Sequence, residues 1–486
     1  MSIEKSVDRN VFGRSPLTRR ALLSQGVSSV ALACLLRQDR LLADVKTVAK
    51  ARESFDLNPR VPGVEPRARA MISLFMQGGP SQVGLLDPKP ELSRLDGQTY
   101  GGKVVFSFFN RATKRLLRSP WKFAQHGKCG TPVSELLPHF AEIVDDVCVI
   151  RSMHTDTNAH GQSSRRLNTG GTPEDRPVVG SWITYGLGSE SQDLPAYVAL
   201  TDPGGHPVRG VKNWSNGWLP SIYQGTVVRS KEPRIPNLDP PPHLRGVLQR
   251  QNLDLLAQLN QEYFRRNPGE ADLEARIASY ELAARMQTAA KEALDLSGEN
   301  ETTREMYGLN DPETQEYGTR CLIARRLVER GVRFVELFLN GQPWDSHKNM
   351  REELPKICKK TDRPSAALVK DLKDRGLLET TLVHWGGEFG RLPVSEGEPM
   401  KGGRDHNGEG FTVWLAGGGV RGGMTYGETC EVGHRSVVDK VSYNDYHATL
   451  LHLFGLDHNT LTFRHNGQEK KLTADLPCRV VHEILS

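Results

Sequence analysis

The chain alternates short, dense apolar runs with polar segments rich in glycine. Residues 70–76, 147–150, 196–200, 332–339, 381–385 and 411–416 are apolar runs four to eight residues long. Runs of that length bounded by turn residues read as strands buried on both faces. Between them the apolar positions fall at helical spacing. Residues 131–143 carry Leu136, Leu137 and Phe140 on one side. A helix starting near His160 stops at Thr169-Gly170-Gly171, a second spans 178–187, and a third, from about 313, ends at Arg330-Gly331. Residues 352–375 read as helical with an interruption near Pro364, and 445–454 as a last helix. Strands alternating with helices predict an α/β domain. The stretch 244–296 departs from this rhythm. Leu248, Leu255, Leu256, Leu259, Tyr263 and Phe264, then Ile277, Leu282 and Met286, predict two helices parted by Asn267-Pro268-Gly269, an inserted layer or cap. Such a Leu/Met stripe reads as core rather than as a cofactor box.

What the strands run into carries the chemistry. The first opens into Gln77-Gly78-Gly79-Pro80, and the second into a loop of hydroxyls and imidazoles ending at His160. Residues 332–339 run into Trp344-Asp345-Ser346-His347. Residues 381–385 run into Gly386-Gly387-Glu388-Phe389-Gly390-Arg391, and the loop beyond delivers Arg404-Asp405-His406-Asn407. In an open α/β sheet the carboxyl ends of parallel strands share one edge, where ligands bind. Carboxylate oxygen and imidazole nitrogen are the ligands of a divalent cation of borderline softness. One Asp-x-His is a weak signal, but several such clusters, each just past a strand, point to one pocket. The candidate ligands are Asp345, His347, Glu388, Asp405 and His406. The cation expected is zinc, with calcium, magnesium or manganese as alternatives. Residues 201–242 are irregular, and Trp214 and Trp218 there suit either carbohydrate stacking or ordinary packing.

Charge narrows the partners. The net +5 lies wholly in residues 1–51, which hold nine Lys/Arg and four acids; the remainder has 54 of each sign. A nucleic-acid surface needs its basic excess on the folded domain, so nucleic acid is not an expected partner. Ser15-Pro16-Leu17-Thr18-Arg19-Arg20-Ala21-Leu22-Leu23, followed by a short apolar run, reads as a twin-arginine export signal over 1–51. That predicts a periplasmic or extracellular protein with no transmembrane anchor after processing. Residues 52–69, with Pro59, Pro62 and Pro66, read as a linker or wrapping arm, and 70–486 as the main domain. The six cysteines beyond the signal include no CxxC, so no zinc-finger pattern exists and buried free thiols are expected.

Several stretches together resemble one family. FMQGGPSQVGLLDPKPEL, RSMHTDTNAH with LNTGG, VGSWITYGLGSESQDLPAYV, WDSHKN, WGGEFGRLP, GRDHNGEGFTVWLAGGGVRGGMTYG and DYHATLLHLFGLDH are similar to the exported domain-of-unknown-function 1501 family. That family is in turn similar to the alkaline phosphatase and sulfatase superfamily. The resemblance implies a three-layer α/β/α fold with a central mostly parallel sheet. It also implies hydrolysis of phosphate or sulfate esters with divalent metal. By position His160 takes the superfamily's nucleophile place, as nucleophile, ligand or general acid/base. Gly84 and Cys430 stand where acids are usual, while Asp345, His347, Glu388, Asp405 and His406 match the acid and histidine pattern. Arg391 reads as a bidentate grip on an anionic substrate or as a surface ion pair. His447, expected to open the last helix, reads as structural. The expected partner is an anionic ester or a glycan. The competing expectation is a catalytically degenerate binding or extracellular-matrix protein on the same fold.

Overall fold

The computed structural model describes residues 56–107, 112–267, 271–397, 402–474 and 476–486, so the export signal read over 1–51 lies outside the described residues. The chain divides into two units, and residues 245–267 belong to the smaller. The part of it described is helix Val247–Arg266.

The main unit is built on a nine-stranded sheet. In chain order its strands are β1 Ala70–Phe75, β2 Val147–His154, β3 Tyr197–Thr201, β4 Thr226–Arg229, β5 Phe334–Phe338, β6 Thr381–Gly386, β7 Phe411–Ala416, β8 Met424–Tyr426 and β9 Val441–Ser442. The order across the sheet is β8-β2-β7-β6-β1-β5-β3-β4, with β9 also on β2. Among these strands β7 alone is antiparallel to its neighbours. The expected mostly parallel sheet is therefore present. β1 shows why its sequence is apolar throughout. Ile72 and Leu74 point into one core and Met71 and Phe75 into the other, so neither face meets water.

Two helical layers cover those faces. Helices α1 His160–Thr169, α2 Val179–Leu187 and α6 Tyr443–Leu453 contribute Leu167, Trp182, Ile183, Leu450 and Leu451 to one core. Helices α3 Ala271–Leu294, α4 Gln315–Glu329 and α5 Met350–Asp374 contribute Met286, Leu322, Ile323, Leu354 and Leu368 to the other. This is the three-layer α/β/α arrangement. Residues 56–69 form neither helix nor strand. They lie along the domain through bonds such as Arg60 N–H to Leu187 O (2.9 Å) and Arg67 N–H to Leu453 O (2.9 Å). Among the described residues no helix is long and apolar enough to cross a membrane, and the six cysteines are unpaired.

Three expectations are corrected. Residues 131–143 are not a helix: Thr131–Ser134 pairs as a strand with Phe123–His126, and only short 3-10 turns follow. Pro132 and Pro138 remove donors that a helix there would need. Conversely, α5 runs unbroken through Pro355 and Pro364. Its long buried face, with Leu354, Ile357, Ala366, Leu368 and Leu372, outweighs the lost backbone bonds. The last helix starts at Tyr443, fixed by a Ser442/Asp445 capping box, so His447 lies in its second turn. There its Nε2 meets Leu167 O at 2.7 Å, and burial pushes the imidazole down to about 4.

A buried polar row crosses the sheet centre. Ser73 on β1 stands between Glu336 on β5 and His384 on β6. The Tyr197 hydroxyl donates to Glu336 Oε2 at 2.9 Å. Burial pushes the Glu336 carboxyl up to about 8 despite this bond and that of Ser73. The folded protein thus keeps a proton that the unfolded chain releases near pH 4.5. Stability from this group is full below that value and falls as pH rises to about 8. In Glu336→Gln protein the decline of Tm between about pH 5 and 8 is expected to be shallower than in wild type. Parallel slopes in a thermal-shift series would refute this.

Candidate metal centre

The site forms at the carboxyl ends of β1, β5 and β6 and at the start of α1. β1 ends in Gly78-Gly79, both at positive φ (114° and 86°). A Cβ on Gly78 would lie 2.5 Å from Asp345 N, and one on Gly79 2.7 Å from the Phe389 ring. Glycine there lets three loops close on one point. β5 delivers Asp345 and His347. The loop after β6 brings Glu388, Phe389 and Arg391, and then Asp405 and His406 through the Gly390–Arg391/His406–Asn407 pairing. Helix α1 presents His160 as its first residue.

Four of these side chains converge. One donor atom each from His160, Asp345, His347 and His406 lies within 4.8 Å of every other. Asp345 is the hub. Its Oδ1 is 3.0 Å from His347 Nε2 and 3.2 Å from His406 Nε2, and its Oδ2 is 3.3 Å from His160 Nε2. The His347 and His406 Nε2 atoms are 2.9 Å apart. Phe389 lies against both His160 and His406, with ring centroids at 4.8 and 4.5 Å. Asp345, His160 and His347 keep 20, 14 and 15% of their side-chain surface exposed, so the cluster is open to small molecules. A cavity of about 220 Å³ adjoins it, lined by Thr155, Asp156, Asn158, His406 and Glu409 among others.

The far side of each ring explains what the near side can do. His160 Nδ1 is 2.6 Å from Glu388 Oε1. His347 Nδ1 meets Glu396. His406 Nδ1 is 2.7 Å from the Asn158 carbonyl oxygen and 2.9 Å from Ser107 Oγ. A carbonyl or carboxylate can only accept, so each Nδ1 carries the proton, and a neutral ring then presents a lone pair at Nε2. Three lone pairs and a carboxylate pointing at one another repel unless protons or a cation lie between them. His160 Nε2 is buried and makes no hydrogen bond of good geometry. Imidazoles whose other nitrogen is held by a carboxylate or carbonyl are the usual surroundings of a bound metal. The residues therefore fit the cation the sequence implies.

Without a cation the electrostatics of the cluster favour protons on two of the three rings. Burial alone would raise the Asp345 carboxyl, but the three imidazoles and the Arg391 charge hold it well below the usual carboxylate range. Burial would lower His160 and His347, yet Asp345 with Glu388, and Asp345 with Glu396, hold both rings above their ordinary value. His406 goes the other way: burial lowers it, and the charges of Arg391 and His160 add to that effect against Asp345.

The structure brings some of the expected ligands to one point and holds others beside it. Asp345, His347 and His406 meet as expected, and His160 joins them. Glu388 does not face the common point: both its oxygens accept the Gly78 N–H at 3.0 Å, and Oε1 holds His160. Asp405 lies in a second group, with one donor atom each from His347, Glu396 and Asp405 within 4.8 Å of one another, and it accepts Ser107 N–H at 2.6 Å and His406 N–H at 2.7 Å. Arg391 is neither a surface ion pair nor open to substrate. Its side chain is fully buried and donates to Gly79 O and Arg404 O (3.0 Å each), Gly78 O and Asp345 Oδ1 (2.5 Å). Trp214 packs in the core against Phe338, and Trp218 stacks on Phe463 and His465. Cys430 lies away from the cluster, its Sγ accepting the His434 N–H at 3.3 Å.

The model of the family described as "Protein of unknown function (DUF1501)" matches residues 68–485. The chain belongs to the DUF1501 family. No curated protein matches the sequence. Among solved structures, this DUF1501 chain is similar to the PsFucS1 sulfatase from Pseudoalteromonas sp., with 13% identity over 80% of this chain and 68% of that one and a TM-score of 0.34. It is also similar to the alkaline phosphatase of the Antarctic bacterium TAB5, with 10% identity over 81% and 99% of the two chains and a TM-score of 0.32. A phosphonate monoester hydrolase from Silicibacter pomeroyi matches at 11% identity over 70% and 72%, with a TM-score of 0.32.

Proposed function

We propose that this DUF1501 protein is an exported, metal-dependent hydrolase of phosphate or sulfate esters. One observation carries the reading: three imidazole Nε2 atoms and the Asp345 carboxylate converge, while each imidazole is tied at Nδ1 by an acceptor behind it. His160, Asp345, His347 and His406 would hold the cation. Three nitrogens and one carboxylate suit zinc better than calcium or magnesium, which favour all-oxygen shells. A cation so held lowers the pKa of water and polarises an ester oxygen. The residues behind it keep the donors aligned: Glu388, Glu396 and the Asn158 carbonyl orient the rings, and Arg391 anchors Asp345. The bond to be broken comes from the superfamily resemblance read in the sequence, and export from the signal read over 1–51.

The second reading is a binding or matrix protein without catalysis. It is favoured by His160, which stands in the nucleophile position but faces the Asp345 carboxylate and the other two imidazoles with its Nε2. Elemental analysis of the purified mature protein, then assays on aryl phosphate, phosphodiester and aryl sulfate esters, separates the two. Stoichiometric zinc with metal-dependent hydrolysis of one class is expected. Zinc with no hydrolysis anywhere in the panel, or absence of bound metal, would sink the hydrolase and favour the binding protein.

A further inference from the structure

Arg391 is buried, and the loop after β3 holds another arginine that is not. Arg209 is among the few non-glycine residues with left-handed backbone, at φ 72°. Its guanidinium is half-buried, and Nη1 is shut off from solvent with no hydrogen-bond partner. Burial and the neighbouring Arg165 both disfavour its charge, and only Glu174 favours it. That carboxylate is already shared by Arg165 and Lys212. Three cations therefore surround one acid, and the strained member has no ion pair of its own. Strain and an unmet charge at the same residue are what a ligand-gripping position shows.

Hydrogen bonds tie the backbone on either side of Arg209 to the loops that carry the metal centre. Gln77, next to the Gly78 that holds Glu388, exchanges bonds with Val208: Val208 N–H to Oε1 (3.2 Å) and Nε2–H to Val208 O (3.4 Å). Asn213 Nδ2 donates to Val208 O at 2.8 Å, and Asn213 Oδ1 accepts from Asn168 Nδ2 of α1 at 3.0 Å. His206 O accepts the Gly341 N–H at 3.3 Å, four residues before Asp345. Arg165 lies five residues along α1 from His160, about 7.5 Å of helix rise. Gln342, three residues before Asp345, also has a buried Nε2 without a partner. Two unsatisfied donors thus lie in loops that are hydrogen-bonded to each other and continue into the loops of the cluster.

We propose that Arg209, backed by Arg165, grips the anionic group of the ligand at these loops; that the anion belongs to an ester rests on the hydrolase reading. A guanidinium fork suits the paired oxygens of phosphate or sulfate. Arg209→Gly is the sharpest variant, because glycine is at ease at positive φ and the fold should not suffer. Titration calorimetry of inorganic phosphate and inorganic sulfate against wild-type protein and the variant is the test. Wild type is expected to bind one or both, and Arg209→Gly about ten- to hundredfold more weakly, with metal content and Tm unchanged. Arg209→Lys, which keeps the charge but not the fork, should fall between, and it carries the test if Arg209→Gly unfolds early. Equal affinity in wild type and both variants, or no anion binding by wild type, would overturn the proposal. Arg209-dependent anion binding without hydrolysis of any ester would remove only the hydrolase reading. Hydrolysis with an unchanged KM in Arg209→Gly would remove only the role given to Arg209.

Discussion

Asp345→Ala protein is expected to emerge from purification with about a tenth or less of the wild-type metal, and to hydrolyse esters about a thousandfold more slowly. The magnitude follows from its place. Asp345 is the one group in contact with all three imidazoles, through both oxygens. Without it the rings keep their Nδ1 bonds but lose the negative charge that offsets a divalent cation. A loss of metal could also follow from a collapsed loop, because Asp345 pairs with buried Arg391. Asp345→Asn separates the two causes. The amide keeps an oxygen for Arg391 and much of the shape, so it should stay folded yet hold metal poorly. His406→Ala is the independent check, since it removes a nitrogen without touching Arg391. Wild-type metal content in both Asp345→Ala and His406→Ala, measured on folded protein, would show that this cluster is not where a cation binds.

The sheet was readable in the sequence because its central strands are covered on both faces and their composition says so. The edges and small additions were not. The strand Thr131–Ser134 belongs to a small hairpin with Phe123–His126 outside the main sheet, and the pairing of Val394–Glu396 with Ala112–Leu116 depends on a partner far away in the chain. The site was legible where a ligand-type residue follows a strand, as at Asp345, His347 and His406. It was not legible in what stands behind them. Glu396 was missed because it sits on a three-residue strand in a glycine-rich loop, and nothing local marks it as the partner of His347. The Asn158 contribution is a backbone carbonyl, which no side-chain pattern reveals. The orientation of the Glu388 and Asp405 oxygens was not legible, because sequence gives the type of a residue but not which way its oxygens face. Both spend them on backbone N–H groups, and Glu388 on His160 as well. Arg391 misled most: an arginine in a polar loop ordinarily faces solvent, and only the folded backbone shows three carbonyl oxygens turned toward it.

That burial makes the second large expected effect one of stability rather than of affinity. Arg391→Met is expected to cost about 3–5 kcal/mol of folding free energy in denaturant titration. The guanidinium ties the Gly78 and Gly79 carbonyls at the end of β1, the Arg404 carbonyl across the loop, and Asp345. Methionine fills similar space but leaves those acceptors in a dry interior with no donor, and unmet buried groups cost more than the bonds themselves contribute. Arg391→Lys should recover little, because a single ammonium cannot span acceptors that the planar fork reaches together. The opposite outcome has a distinct signature. A residue that only met substrate would give a variant as stable as wild type, with normal metal content and a raised KM. That result would return Arg391 to the rim of the site and undo the assignment of that task to Arg209. A destabilised variant that still binds inorganic phosphate once refolded with metal would instead show that the carbonyl oxygens at the end of β1, rather than the anion, are what Arg391 is there to hold.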